Sequence, residues 1–252
     1  MTTGENSFFG IGAGTNIKFY LTTPQICPYL GDRLERKIFT TLNDLNANAL
    51  NEALTHAGFR RSQNIAYRPS CDMCSKCVSV RVIANDFVFD KKWRRIIEKN
   101  KMLVATECLP IATEERYELL TKYLDTRHLN QGMSGMNGDD FIAMLEECVE
   151  STRVYDYRLA ADCEMGKKGQ LIACCLIDEL SDGRSLVYSF FDPDYKKQSL
   201  GSFIILDQII QTRIARKPYV YLGYLIDGCD KMEYKARFKP LEALGLQGWG
   251  KI

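Results

Sequence analysis

Residues Leu171–Pro240 read LIACCLIDELSDGRSLVYSFFDPDYKKQSLGSFIILDQIIQTRIARKPYVYLGYLIDGCDKMEYKARFKP. Leu171–Leu180 and Ser185–Phe191 are two β-rich runs joined by Ser181-Asp182-Gly183, the composition of a hairpin turn. Asp192-Pro193 stops the second run, because proline has no N–H to give a ladder. Over Ser199–Arg213, apolar residues fall at Leu200, Phe203, Ile204, Leu206, Ile209 and Ile210, with Ile214 just beyond. That spacing predicts a helix with a broad buried face. Pro218 follows it, and Tyr219–Ile226 reads as a further strand. Strand, strand, loop, helix, strand is the frame onto which the rest of the chain is placed.

Upstream, the pattern predicts a strand at Tyr155–Ala160 and a turn at Gly166–Gly169. A helix over Asp139–Val149 would carry Phe141, Ile142, Leu145 and Val149 as its apolar stripe. The loop Asn130–Gly138 is rich in Gly and Met, and Thr113–Thr126 suits a helix with Glu114 and Glu115 in its first turn, where carboxylates favour the macrodipole. Pro110 marks a boundary. Before it lie strand runs at Ile17–Thr22, Val78–Ala84 and Met102–Cys108. Helix runs lie at Asn46–His56, which Gly58 stops, and at Lys91–Lys101. Residues 1–15 read as a loose arm, and Thr23–Thr40 mixes a turn with a charge cluster. The expected division is 1–109 and 110–252. The expected class is α+β, a small cysteine-containing N-terminal α/β domain followed by a domain with a mixed sheet.

The 252 residues are 46% hydrophobic and 26% charged, ordinary for a globular chain, with a net charge of +1 that forces no partner. Local charge is less even. Arg81, Lys91, Lys92, Arg94, Arg95, Lys99 and Lys101 outnumber Asp86, Asp90 and Glu98. Further on, Arg213, Arg216, Lys217, Lys231, Lys235, Arg237 and Lys239 outnumber Asp227, Asp230 and Glu233. Such patches suit phosphates, and a solvated helix face or edge strand reads the same way. No apolar run approaches the roughly 20 residues of a membrane span, and no secretory signal opens the chain. Ten cysteines without an export signal point to reduced thiols or metal ligands, with the cytoplasm as the expected compartment.

Cys71, Cys74 and Cys77 stand at C-x2-C-x2-C spacing, which lets one tight turn present its sulfurs to a single metal. Cys27 is the fourth candidate ligand, and zinc or an iron–sulfur cluster is the group such a set would hold. Small buried thiols are the other reading. That second reading is the expected one for Cys108, Cys148, Cys163, Cys174, Cys175 and Cys229.

The order of elements in Leu171–Ile226 resembles the central unit of GNAT acyltransferases. These bind coenzyme A pyrophosphate on the backbone N–H groups of a Q/R-x-x-G-x-G/A loop at a helix N-terminus. Here Gln198 and Gly201 supply the first two positions. Phe203 stands where a small residue belongs, is expected to obstruct the approach, and points to a different acyl donor. Five longer segments carry a second resemblance. These are FYLTTPQICPYLGDRLERKIFT (19–40), YRPSCDMCSKCVSVRV (67–82), RHLN (127–130), VYSFFDPDYKKQSLGSF (187–203) and YVYLGYLIDGCDKMEYKARFKPLEAL (219–244). They resemble the arginyl-tRNA–protein transferase family, its bacterial branch most of all. The resemblance implies a GNAT-like C-terminal half that moves leucine from leucyl-tRNA onto the α-amino group of proteins beginning with Asp or Glu. Its product would be a destabilising N-terminus read by the N-degron (N-end rule) pathway of protein degradation. The implied partners are aminoacyl-tRNA and such proteins, with no membrane or DNA, and transfer requires no cofactor. Only Cys27, Cys71, Cys74 and Cys77 stand at positions comparable to the family's cysteines.

An amine attacking an aminoacyl ester must be neutral, and an α-amino group, with a pKa of about 7.7–8.0, is partly so at neutral pH. Alignment can supply about 7–11 kcal/mol, so the reaction does not demand a Ser/His/Asp set. The candidate catalytic residues are Tyr188, Asp192, Ser199, Tyr221, Tyr224 and Lys231. Arg68 and Arg81 are placed to read an acidic side chain, and Lys231, Lys235 and Arg237 to hold the acceptor end of tRNA. Arg127 and His128 belong to a family-like motif, His128 as proton carrier or helix-end cap. His56 reads as a cap. Three rivals remain: arginyl transfer, acetyl-CoA-dependent N-acetylation, and a non-catalytic tRNA-binding metal or redox sensor.

Overall fold

The computed structural model describes residues 17–43, 45–127 and 135–252, with Arg127 by its backbone alone. The expected arm over 1–15, most of the Gly- and Met-rich loop, and His128 lie outside the described residues. In chain order come β1 Tyr20–Leu21, β2 Gln25–Ile26, β3 Leu34–Glu35, β4 Lys37–Thr41, α1 Ala47–His56, β5 Arg60–Ser62, β6 Ile65–Pro69 and β7 Cys77–Ile83. Then follow α2 Lys91–Lys99, β8 Leu103–Cys108, α3 Glu114–Arg127, α4 Gly138–Glu146, β9 Thr152–Leu159, β10 Leu171–Glu179 and β11 Gly183–Phe191. A 3-10 turn at Pro193–Gln198 leads into α5 Leu200–Ile214, β12 Tyr219–Ile226 and α6 Asp230–Glu233. A second 3-10 turn at Tyr234–Arg237 precedes β13 Leu241–Gly245 and β14 Gly248–Lys251.

A mixed sheet of eight strands, ordered β14-β13-β7-β12-β11-β10-β9-β8, forms the centre. Its one parallel pair is β11–β12. β1, β4, β6 and β5 make a second sheet, and β2 and β3 a small ladder. The large sheet runs across the expected boundary at residue 110. β7 lies between β12 and β13, and β8 closes the far edge against β9.

α5 contributes Leu200, Phe203 and Ile204 to a core shared with α3, α4, β9, β10 and β11. One turn on, its Ile205, Leu206 and Ile209 pack with β7, β12, Trp93 of α2 and Phe238. The helix is buried along most of its length, as its apolar residues dictate. α4 departs from expectation. It ends at Glu146, Ile142 is exposed, and Val149 packs instead with Leu42, Leu50, Leu54, Phe59 and Ala66. Ile142 follows Phe141 by one step of about 100° around the helix, which turns it outward when Phe141 faces in. Cys174, Cys175 and Cys229 are buried, whereas Cys108, Cys148 and Cys163 are only partly so. No described helix is long and apolar enough to cross a membrane.

The register aligns a row of polar residues across six strands. Thr152 pairs with Asp178, Asp178 with Ser185, Ser185 with Tyr221, Tyr221 with Arg81, and Arg81 with Glu242. Directly paired residues share a face, so the whole row points one way. α1 and β5 cover that side through Asn51 and Arg61 on Asp178, Arg60 on Ser185 and His56 on Asp182. Buried polar groups of this kind persist only when they are paired.

Gly183 opens β11 where it first meets β12. A Cβ there would lie 2.1 Å from the Tyr219 carbonyl oxygen, a backbone atom that cannot swing aside. Gly183→Ala is expected to cost about 1–3 kcal/mol and to lower Tm by several degrees in a thermal melt. An unchanged Tm would show that the Tyr219 carbonyl does not pack tightly against Gly183.

Candidate active site

β11 and β12 pair only over Gly183–Ser185 and Tyr219–Tyr221. Beyond that point β11 continues on β10, and β12 continues on β7 with a register shift between Tyr221 and Gly223. The two parallel strands therefore part into a wedge on their carboxyl-terminal side, where α/β sheets characteristically bind ligands. The chain leaves β11 through the Pro193–Gln198 turn and enters α5 at the same end.

Arg60 of β5 fills the wedge. Its guanidinium donates to Ser185 Oγ at 3.1 Å and to the Leu186 carbonyl on β11. On β12 it lies against Gly223, where an added Cβ would meet Arg60 Nε at 2.8 Å. Gly223 has φ +79°, a conformation side chains disfavour, so glycine there serves both the bulge and the close approach. Lys235 lies on the same side, 7% exposed, with Nζ donating to the Tyr224 carbonyl at 2.6 Å. Burial, and then the charge of Arg60, pushes this amine down to about 7. Tyr224 turns its hydroxyl toward the Gly58 and Tyr67 carbonyls at 3.0 and 3.1 Å, tying β12 to the N-terminal strands.

Next to the wedge is a pocket of about 70 Å³ lined by Tyr29, Tyr67, Tyr224, Arg33, Lys37 and all four candidate ligands, Cys27, Cys71, Cys74 and Cys77. Burial, and then the three neighbouring cysteines, pushes the Cys77 thiol up to about 12. The Lys76 backbone N–H, seconded by Arg33, holds Cys74 below its ordinary value. The donor set suits zinc or an iron–sulfur cluster in its chemistry. Its spacing is open, because no three of these sulfurs lie within 4.8 Å of one another, whereas Glu52, His56 and Asp182 do bring ligand atoms that close. Thiolates about 2.3 Å from one tetrahedral zinc stand closer together than that.

The remaining sequence candidates divide by place. Tyr221 donates to Asp182 at 2.7 Å and accepts from Arg81 at 2.9 Å. Arg81 also bonds Glu242 at 2.8 Å and lies 3.5 Å above the Tyr219 ring, so its charge is spent inside the polar row. Asp192 caps the 3-10 turn through the Asp194 N–H at 3.0 Å and holds Lys122 at 2.7 Å. Tyr188 is half-buried on β11 near Phe190, and burial raises its hydroxyl well above the usual range. Ser199 is exposed at the head of α5 with left-handed φ +54°. Arg68 is exposed over the Phe59 ring, and Lys231 and Arg237 are exposed around Lys235 in sequence. His56, expected as a cap, lies in the last turn of α1 and instead brings its Nε2 to 3.1 Å from Asp182. Arg127 ends α3 with its side chain outside the described residues, as is His128. The structure thus brings Tyr224, Lys235 and the cysteines to one region and places Tyr221 with Arg81 in another. Phe203 does not obstruct the loop, because it is buried against Tyr157 with ring centroids 5.8 Å apart. Arg60 was not singled out in the sequence, since its role rests on contacts about 125 residues away.

Family models described as arginine-tRNA-protein transferase, N terminus and C terminus, match residues 25–95 and 115–245. The aspartate/glutamate leucyltransferase of Phenylobacterium zucineum is 46% identical over 233 residues, covering 92% of this chain and 90% of that protein. The leucyltransferases of the same description from Sphingopyxis alaskensis and Parvibaculum lavamentivorans are 48% and 49% identical. They cover 93% and 92% of this chain, and 91% and 93% of their own lengths. With both models in register and such identity across nearly the whole length, the chain belongs to the arginine-tRNA-protein transferase family.

Proposed function

We propose that this protein transfers leucine from leucyl-tRNA to the α-amino group of proteins beginning with Asp or Glu. The observation that carries the reading is the identity of 46–49% to relatives named for that activity, over nine-tenths of both chains. The wedge between β11 and β12, with α5 between them in sequence, suits a GNAT-like acyl transfer in the second half. There the aminoacyl ester would meet the incoming amine beside Arg60, Lys235 and Tyr224, with Ser199 and Tyr188 on the α5 side. The N-terminal segment would present Arg68 and the cysteine pocket to the acceptor, and Arg33 and Lys37 add positive charge for an acidic terminus. A metal at Cys27, Cys71, Cys74 and Cys77 would tie the 27–37 and 71–77 loops together, a structural role that requires the sulfurs to draw in. Cytoplasmic aminoacyl-tRNA is the donor this reading needs.

The test uses purified protein, a peptide beginning with Asp, and tRNA charged separately with labelled leucine or arginine. Labelling from leucyl-tRNA, abolished by ribonuclease, is the expected result. Labelling from arginyl-tRNA alone would move the donor to arginine. Labelling from acetyl-CoA, or from no donor, would overturn aminoacyl transfer.

A further inference from the structure

α2 carries KKWRRIIEK on a chain whose net charge is only +1. Trp93 is buried, stacked on Phe238 at 4.7 Å, and Ile96 and Ile97 pack with it. That fixes the inward face and leaves Lys91, Lys92, Arg94, Arg95 and Lys99 exposed. Lys91, Arg95 and Lys99 fall at steps of four, one stripe of the helix. Together with Lys92 and Ile96 they line an open concavity. The carboxylates in the segment are occupied. Asp90 caps the helix through the Lys92 and Trp93 N–H groups, and Glu98 pairs with Lys101.

This stripe is joined to the wedge. Lys99 Nζ donates to the Lys197 carbonyl at 3.1 Å, and Asn100 Nδ2 to the Gln198 carbonyl at 2.8 Å. The α2 end is therefore fastened to the turn that enters α5, and that turn adds exposed Lys196 and Lys197. We propose that the outer face of α2, with Lys196 and Lys197, binds the phosphate backbone of the donor tRNA's acceptor stem. The surface would set the register in which the aminoacyl end reaches the wedge. The proposal rests on the transfer reading above for the identity of its ligand.

Charge complementarity names the occupant. The cations from Lys91 to Lys99 spread over about 12 Å of helix at 1.5 Å per residue, a length that meets several phosphates of an RNA duplex. Double-stranded RNA is held mainly by such backbone contacts, not by base edges. A membrane surface suits the face less, because a membrane-binding amphipathic helix turns its apolar side to the lipid. Here Trp93, Ile96 and Ile97 are turned to the core.

The experiment compares wild type with the variant K91Q/K92Q/R95Q/K99Q and with K167Q/K168Q, a control on the exposed Gly166–Gly169 turn. Uncharged tRNA binding is measured across a KCl series, with a thermal melt of each protein. Each lost phosphate contact should reduce the slope of log K against log salt by about 0.7–0.9. The α2 variant is expected to bind about tenfold or more weakly with a visibly shallower slope, and the control to match wild type. In the transfer assay its KM for leucyl-tRNA should rise with kcat held. An α2 variant that melts like wild type and binds tRNA with unchanged affinity and slope would overturn the surface, whatever the transfer assay shows. A variant that loses only binding to vesicles containing anionic lipid would also overturn it. A reduced slope in a protein that transfers no leucine would leave the surface standing and remove the transfer reading.

Discussion

Asp178→Ala is expected to remove about 3–5 kcal/mol of stability, the cost of stranding a buried charge. Asp178 is fully buried near the middle of the large sheet. It accepts from Arg61 Nε and a terminal guanidinium nitrogen at 2.8 Å each, from Asn51 at 3.0 Å and from the Thr152 hydroxyl at 2.7 Å. Four donors from β5, α1 and β9 thus converge on one carboxylate of β10. Without it, Arg61 keeps only the Gln63 carbonyl and the Thr152 oxygen among the described residues, and its charge remains in a site that admits almost no water. Against a total stability of about 5–15 kcal/mol, the loss is large. At about 2–4 °C per kcal/mol for a chain of this size, Tm should fall by about 10 °C. R61M/D178L, which removes both charges and keeps apolar bulk, should lose less than D178A, because burying the pair is itself costly. A D178A melt within a degree or two of wild type would show that the N-terminal segment is not held on the sheet by this carboxylate.

The same row explains what could be read from the chain and what could not. β10, β11, α5 and β12 were legible to within two residues at each end, because long apolar runs bounded by Ser181-Asp182-Gly183, Pro193 and Pro218 leave little choice of element. β13 and β14 were not. LEALG and GWGK are short and glycine-rich, and they become strands only because β7 offers an edge to β13. β4 was hidden by the charges of Glu35 and Arg36 before it and of Lys37, its first residue. Arg60, Arg61 and Asp178 look like ordinary surface charges in one dimension. Their burial is a property of strand register and of chain segments more than 100 residues apart. Of the site candidates taken from motifs, Tyr224, Lys235 and the four cysteines lie together in one region. Tyr221 and Arg81 were also candidates, but their partners Asp182 and Glu242 were invisible until the strands were paired. For Phe203 the loop pattern and the apolar spacing of α5 gave opposite expectations, and the structure follows the spacing, turning the ring onto Tyr157.

Lys235→Met is expected to change how both stability and transfer depend on pH. The groups that act on Lys235 are Arg60, which lowers its pKa after burial does, and the thiols of Cys229 and Cys77, which raise it slightly. The folded value of about 7 lies below the ordinary lysine value of about 10.4. Between these limits the unfolded chain holds one more proton than the folded one. Stability therefore rises with pH across that window, by about 1.4 kcal/mol per pH unit for this group, and the burial cost is present in full below about pH 7. Met cannot titrate, so K235M should flatten the slope and lose less stability than wild type as the pH falls from about 10 to about 7. In transfer, an amine poised near neutrality beside the wedge can take the proton that the attacking α-amino group sheds. General-base help of this kind is worth about 10²–10⁴ in rate. Wild-type kcat should fall in acid with an inflection near this value, and K235M should lie at least about 10²-fold lower and lack the inflection. K235R, a permanent cation, should be equally slow. Retention of both rate and pH profile in K235R would mean that the proton leaves by another route. A flattened stability slope in K235M alongside an unchanged transfer profile would confine Lys235 to its bond with the Tyr224 carbonyl.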